Sequence, residues 1–184
     1  IIYNFGEESN SNFKHPNYKK LNLNDIQENE LIFETFVIIY YLATASIPAS
    51  SFNDPLTDVS LNLIPFLNFL EAIKSSNVKK VVFTSSGGTI YGASDKLLNE
   101  KSNKNPESPH GIIKLTMEHF LNYNLKNSGI NYTIFRISNT YGENQNTSKG
   151  LGLINTILEK AISKENIEIF GNGSFKRNYI YVKD

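Results

Sequence analysis

The chain has 184 residues, enough for one domain with its own core, and 40% hydrophobic against 20% charged residues describes an ordinary globular protein. Eighteen Lys and Arg balance 18 Asp and Glu, and no basic run exceeds two residues, which argues against nucleic acid as a partner. Without Cys there are no disulfides, thiolate nucleophiles or Cys-ligated metals, and a reducing cytoplasm is compatible; the motifs below call for no metal.

The apolar stretches are broken well short of the roughly 20 residues that a membrane helix needs, and the N-terminus lacks a signal-peptide pattern, so no membrane partner is expected. The chain opens on Ile1 and its only Met is Met117, so sequence upstream of Ile1 is expected to be missing.

Strand-like runs alternate with helix-like periodic segments along the whole length, the pattern of a parallel sheet with crossover helices. Residues 1–3 read as a strand end, followed by a polar loop to about residue 17, a short strand over 18–23 and a weak helix over 26–33. Residues 37–42, continuous and rich in β-branched and aromatic side chains, predict a central strand covered on both faces. From 58 to 74, Val59, Leu63, Phe66, Leu67, Leu70 and Ile73 form a helical stripe, which Pro65 should bend.

A strand over 80–85 and a long loop over 87–107 follow. Ser108-Pro109 then starts a helix, Ser as the cap and Pro at the first helical position, that should run to about 127 with Gly129 just beyond. Residues 132–137 predict a buried strand, 151–163 a helix, and 167–170 and 179–182 late strands.

Three segments fall at the carboxyl ends of predicted strands, where open α/β sheets bind ligands: Leu42-Ala43-Thr44, Thr84 to Gly92, and Ser138-Asn139-Thr140-Tyr141-Gly142. With Ser108-Pro109-His110-Gly111-Ile112-Ile113-Lys114 between them, their order resembles the extended short-chain dehydrogenase/reductases, in particular the NAD-dependent nucleotide-sugar epimerases related to UDP-glucose 4-epimerase. That family shows Thr-Val-Tyr-Gly, Ser-Pro-Tyr-Gly-x-x-Lys, Arg-x-x-Asn-x-Tyr-Gly and Gly-x-Gly-x-x-x-Arg-Asp-Tyr-x-x-Val. This chain has Thr89-Ile90-Tyr91-Gly92, the 108–114 segment, Arg136 to Gly142, and Gly171 to Val182.

The resemblance implies a Rossmann-like doubly wound parallel sheet, incomplete, with NAD as cofactor and a UDP-hexose as substrate. Residues 1–142 would be the NAD-binding domain without its first strand and glycine loop, and 143–184 the start of a substrate-binding part. The reaction transiently oxidises the sugar: a base takes a hydroxyl proton while a hydride passes to the nicotinamide, then returns to the other face. The family's base is a Tyr with a Lys four residues later on the same helical face.

Lys114 matches that Lys, while His110 stands in place of the Tyr. An imidazole beside Lys114 would be held neutral and able to accept a proton, but it is shorter than a phenol, and a base must come within about 2.6–3.2 Å of its proton donor. A His in the first turn of a helix can equally be a solvated surface residue.

By the same resemblance Ser86 holds the reacting sugar oxygen, with Ser85 beside it and Thr89 as the alternative if the double glycine shifts the alignment. Asn4 falls near the reader of the adenosine ribose, Asp25 and Ile26 at the adenine pair, Leu42, Ala43 and Thr44 at the pyrophosphate and ribose loop, and Asn62 at the Asn that supports the strand ends. Asn139 and Arg177 match contacts to the substrate diphosphate, with Asn178 replacing an Asp. No Gly-x-x-Gly-x-x-Gly loop occurs. Relatives commonly pair as homodimers through helices equivalent to 108–127 and 58–74. Two readings stay open: an epimerase in polysaccharide precursor synthesis, and an inactive remnant that keeps the fold and some nucleotide-sugar affinity.

Overall fold

The computed structural model describes residues 4–6, 18–23, 33–46, 48–147, 152–169, 171–174 and 176–184. They form two compact units, one of residues 1–85 and 89–135, the other of 86–88 and 136–184. The readings for 1–3, for residues 7–17 of the loop, for Asp25 and for the helix 26–33, except its last residue, lie outside the described residues, while 4–6, read as the start of that loop, form a strand. Phe33 itself opens a short 3₁₀ turn over 33–35.

In the first unit, β1 (Asn4–Gly6) pairs in parallel with β2 (Tyr18–Lys20). A separate sheet has the order β3 (Ile38–Tyr41), β4 (Lys80–Ser86), β5 (Asn131–Ile137), with Ile38 opposite Lys80 and Tyr41 opposite Phe83 in a parallel register. This is the parallel, helix-connected sheet that the alternating pattern predicts.

The central position goes to β4, not to 37–42. Val81, Val82 and Phe83 are buried in succession, whereas Ile38 and Tyr40 are 49% and 66% exposed and only Ile39 and Tyr41 of β3 turn inward. An outer strand with one open face needs only every second side chain to be apolar. The continuous run at 37–42 therefore overstated the coverage of β3.

The stripe over 58–74 becomes α2 (Pro55–Asp58), a π-helical segment (Val59–Leu63) and α3 (Ile64–Ala72). Pro65 has no N–H to give to the carbonyl four residues back, and the turn before it widens so that the Ile64 N–H bonds Val59 O, five residues back. The disturbance expected at Pro65 thus takes the form of a π segment, and a further short helix, α1 (Pro48–Asn53), precedes it.

Helix α4 (Pro109–Leu125) starts on Ser108, whose side chain accepts the Gly111 N–H, and Gly129 beyond its end has φ +79°. Its Ile113, Met117, Leu121 and Leu125 pack with Phe66, Phe69 and Leu70 of α3, with Ile73 just beyond its end, and with Val81 and Phe83 of β4. Tyr41 crosses this core with ring centroids 4.9 Å from both Phe66 and Phe69.

In the second unit β6 (Asn139–Tyr141) pairs in parallel with β7 (Tyr179–Tyr181), and α5 (Leu153–Ile162) starts after Gly152 at φ +83°. Strand β6 falls where the sequence suggested only a ligand loop. The strand expected over 167–170 does not form in 165–169, and Phe170 lies outside the described residues. Ile167 and Ile169 are exposed, and a short apolar run becomes a strand only where a neighbour pairs with it.

Candidate active site

The loop leaving β3 carries Leu42, Ala43 and Thr44, all exposed at the carboxyl end of a parallel strand. Beyond them the chain turns inward to Ser46, which is buried. Asn62, in the π segment, fastens this loop. Its Oδ1 accepts the Ala45 N–H at 2.7 Å, and its Nδ2 donates to Ser46 Oγ and to Asp58 Oδ1, each at 2.9 Å. Asp58 is 1% exposed and its Oδ2 has no hydrogen-bond partner.

The first turn of α4 faces the same loop. His110 is half-buried with Nδ1 3.4 Å from Ser46 Oγ, so it is not the solvated surface histidine that its place near a helix start allows. Burial, and after it the ammonium of Lys114, holds its imidazole below the usual histidine range, while Asp58 acts in the opposite direction.

Lys114, one turn on, lies on the core-facing stripe of α4 at 6% exposure. Its Nζ donates to Thr84 O at 3.1 Å and stands 5.1 Å from the centre of the Phe83 ring. Burial pushes its pKa down to about 8. A lysine so placed is costly to keep in a core, which marks it as more than packing.

At the end of β4, Ser85 Oγ and the nearby Thr89 Oγ1 are buried without hydrogen-bond partners. Buried hydroxyls are normally satisfied, so these two are open to a group that the protein does not itself provide. The loop bearing Thr89 lies directly on the helix: a Cβ on Gly111 would come 2.4 Å from Thr89 O. A Gly111→Ala chain is therefore expected to lose roughly 1–3 kcal/mol of stability by overpacking. Urea unfolding checks this, and an unchanged midpoint would show that the loop gives way freely.

Ser86, Asn139 and Arg177 belong to the second unit. The backbone N–H and the Nδ2 of Asn139 both donate to Asn178 O, at 3.2 and 3.0 Å, which ties β6 to the residue after Arg177. Arg177 is exposed, with Nη1 donating to Lys176 O. Asn4 lies in β1, and Asp25 and Ile26 fall outside the described residues.

Sequence reasoning passed over Ser46 and Asp58. Asp58 carried a signal, a carboxylate four residues before Asn62 on the same helical face. Ser46 carried none, since nothing distinguishes it within a loop of small residues.

A parallel sheet whose strand ends offer an exposed loop, a buried lysine and open hydroxyls under a capped helix is the ligand-binding arrangement of open α/β folds. The chain matches the NAD dependent epimerase/dehydratase family over residues 3–184, and it belongs to that family. It is 32% identical over 167 residues to a putative UDP-glucose 4-epimerase of Methanocaldococcus jannaschii, covering 90% of this chain and 52% of that protein.

Among solved structures, the UDP-glucose 4-epimerase of Thermotoga maritima with UDP-glucose superposes with a TM-score of 0.86 at 31% identity, over 92% of this chain and 57% of that one. The Thermus thermophilus UDP-glucose 4-epimerase complex with NAD gives 0.83 at 26% identity, over 94% and 59%. The chain thus spans little more than half the length of these relatives.

Proposed function

We propose that this chain carries the catalytic face of a NAD-dependent nucleotide-sugar 4-epimerase of the UDP-hexose class. The observation that carries the reading is Lys114, a buried ammonium at the carboxyl end of the sheet one helical turn after His110. The open Ser85 and Thr89 hydroxyls and the exposed 42–44 loop fit a dinucleotide lying across the strand ends. NAD, when bound, supplies the acceptor and donor of hydride.

The chain's own residues do the rest. Lys114 holds the cofactor ribose by a charge-assisted hydrogen bond. His110, neutral near pH 7, takes the proton of the sugar hydroxyl and later returns it. Thr89 and Ser86 are the candidates for the hydroxyl that steadies the reacting oxygen. Asn139 and Arg177 hold the diphosphate, for which the planar guanidinium is suited. Exposed Ile112, Phe120 and Tyr123 on α4 and Leu61 and Ile64 beside it support pairing of two copies through these helices.

A second reading, nucleotide-sugar binding without turnover, is favoured by the shorter reach of an imidazole at position 110. Calorimetric titration with NAD, followed by assay of UDP-glucose and UDP-galactose interconversion, separates the two. The expected result is NAD binding, with His110→Tyr raising turnover because the phenol reaches further than the imidazole. Binding without turnover in either chain would favour the second reading, and a folded chain that ignores NAD would sink both.

A further inference from the structure

We propose that Asp58 is a positioning residue for His110: it anchors a buried hydrogen-bonded arm, Asp58–Asn62–Ser46, that orients the imidazole and offsets its charge when it takes a proton. The inference rests on the reading of His110 as the base, and two of its residues, Ser46 and Asp58, are ones that sequence reasoning passed over.

The arm follows from donors and acceptors. The Ala45 N–H needs an acceptor, so the Asn62 amide turns its oxygen to Ala45 and its nitrogen inward. Both hydrogens of that nitrogen are then spent, one on Asp58 Oδ1 and one on Ser46 Oγ. Ser46 Oγ then has one lone pair and its own hydroxyl hydrogen left, and His110 Nδ1 stands 3.4 Å away. Where Ser46 Oγ accepts Nδ1–H, the ring is held as the tautomer whose Nε2 is free to take a proton.

Asp58 is the acidic end of the arm. It is 1% exposed, and a buried carboxylate with one oxygen unpartnered is costly unless a positive charge returns the interaction. The surrounding groups leave few other sources of compensation. Helix α1 and the π segment, both packed on α4, carry no titratable side chain. Helix α3 brings only Glu71, exposed and paired with Lys74. From the loop, Glu107 accepts the Ala93 N–H, and Lys80 lies at the far end of β4. On α4 itself Lys114 opposes protonation of His110, and Glu118 and His119 follow one turn and more beyond it.

The test is imidazole nitrogen NMR of the intact chain as a function of pH, which needs neither cofactor nor turnover. His110 is assigned by the signal lost in His110→Gln. In the unaltered chain neutral His110 is expected as the Nδ1–H tautomer. Asp58→Asn keeps the shape of the arm and removes its acidic group, and it is expected to lower the His110 midpoint. Ser46→Ala removes the acceptor and is expected to move the ring to the Nε2–H tautomer, which an isolated histidine prefers.

An unchanged or raised midpoint in Asp58→Asn overturns the proposal. So does an unchanged tautomer in Ser46→Ala, which remains decisive if Asp58→Asn fails to fold. Both expected shifts in a chain that ignores NAD would support the arm and sink the epimerase reading, so the two failures are told apart.

Discussion

A Phe66→Ala chain is expected to lose about 3–5 kcal/mol of stability, the usual cost of removing a buried aromatic ring. Phe66 is 0% exposed and meets Tyr41 at 4.9 Å and Phe83 at 5.1 Å between ring centroids, so the cavity opens where helix, outer strand and central strand converge. Single domains are stable by only about 5–15 kcal/mol, so a large share of the total goes. Urea unfolding with an unchanged slope checks the value, and a loss below about 1 kcal/mol would show that the core lies elsewhere. Phe83 also faces the Lys114 ammonium, so the substitution should loosen the site before the fold is lost.

A Lys114→Met chain is expected to bind NAD about 10–100-fold more weakly, because a hydrogen bond from a charged donor contributes about 1.5–3 kcal/mol. The same substitution has a signature in stability. The unfolded lysine titrates near 10.5 and the folded one near 8, so between those values the unfolded chain binds more protons and stability rises with pH. The ammonium's burial cost is fully present below about pH 8 and relieved above about 10.5, on the order of 3 kcal/mol in all. Met should remove this rise while keeping the stem packed. A parallel rise in both chains would assign it to other groups, and undiminished NAD affinity would remove Lys114 from the site.

The helices were legible where a stripe and a cap coincide: Ser108-Pro109 announced α4, and the stripe at Val59, Leu63, Phe66 and Leu70 announced the helix after Asp58. The strands were legible as runs, but their rank in the sheet was not. Residues 37–42 and 80–85 look alike as apolar segments, and only the fold put β4 in the middle of the described three-stranded sheet and left Ile38 and Tyr40 of β3 exposed. Likewise 167–170 reads as a strand until no partner is found for its described part.

The site divides the same way. The resemblance of the motifs to those of the epimerases, taken in order along the chain, brought out Lys114, His110 and Asn62. That Asn62 reaches back 17 residues to the Ala45 N–H, and that Ser46 meets His110 across 64, depends on how the π segment before Pro65 turns Asp58 and Asn62 inward. The sequence by itself determined the alternation of strand and helix, through local propensity, and, through the resemblance of its motifs, the family and the match at Lys114. Only the tertiary structure decided which strand is central, which hydroxyls lack partners and which carboxylate stands behind the histidine, because burial and hydrogen bonding are properties of neighbours far apart in the chain.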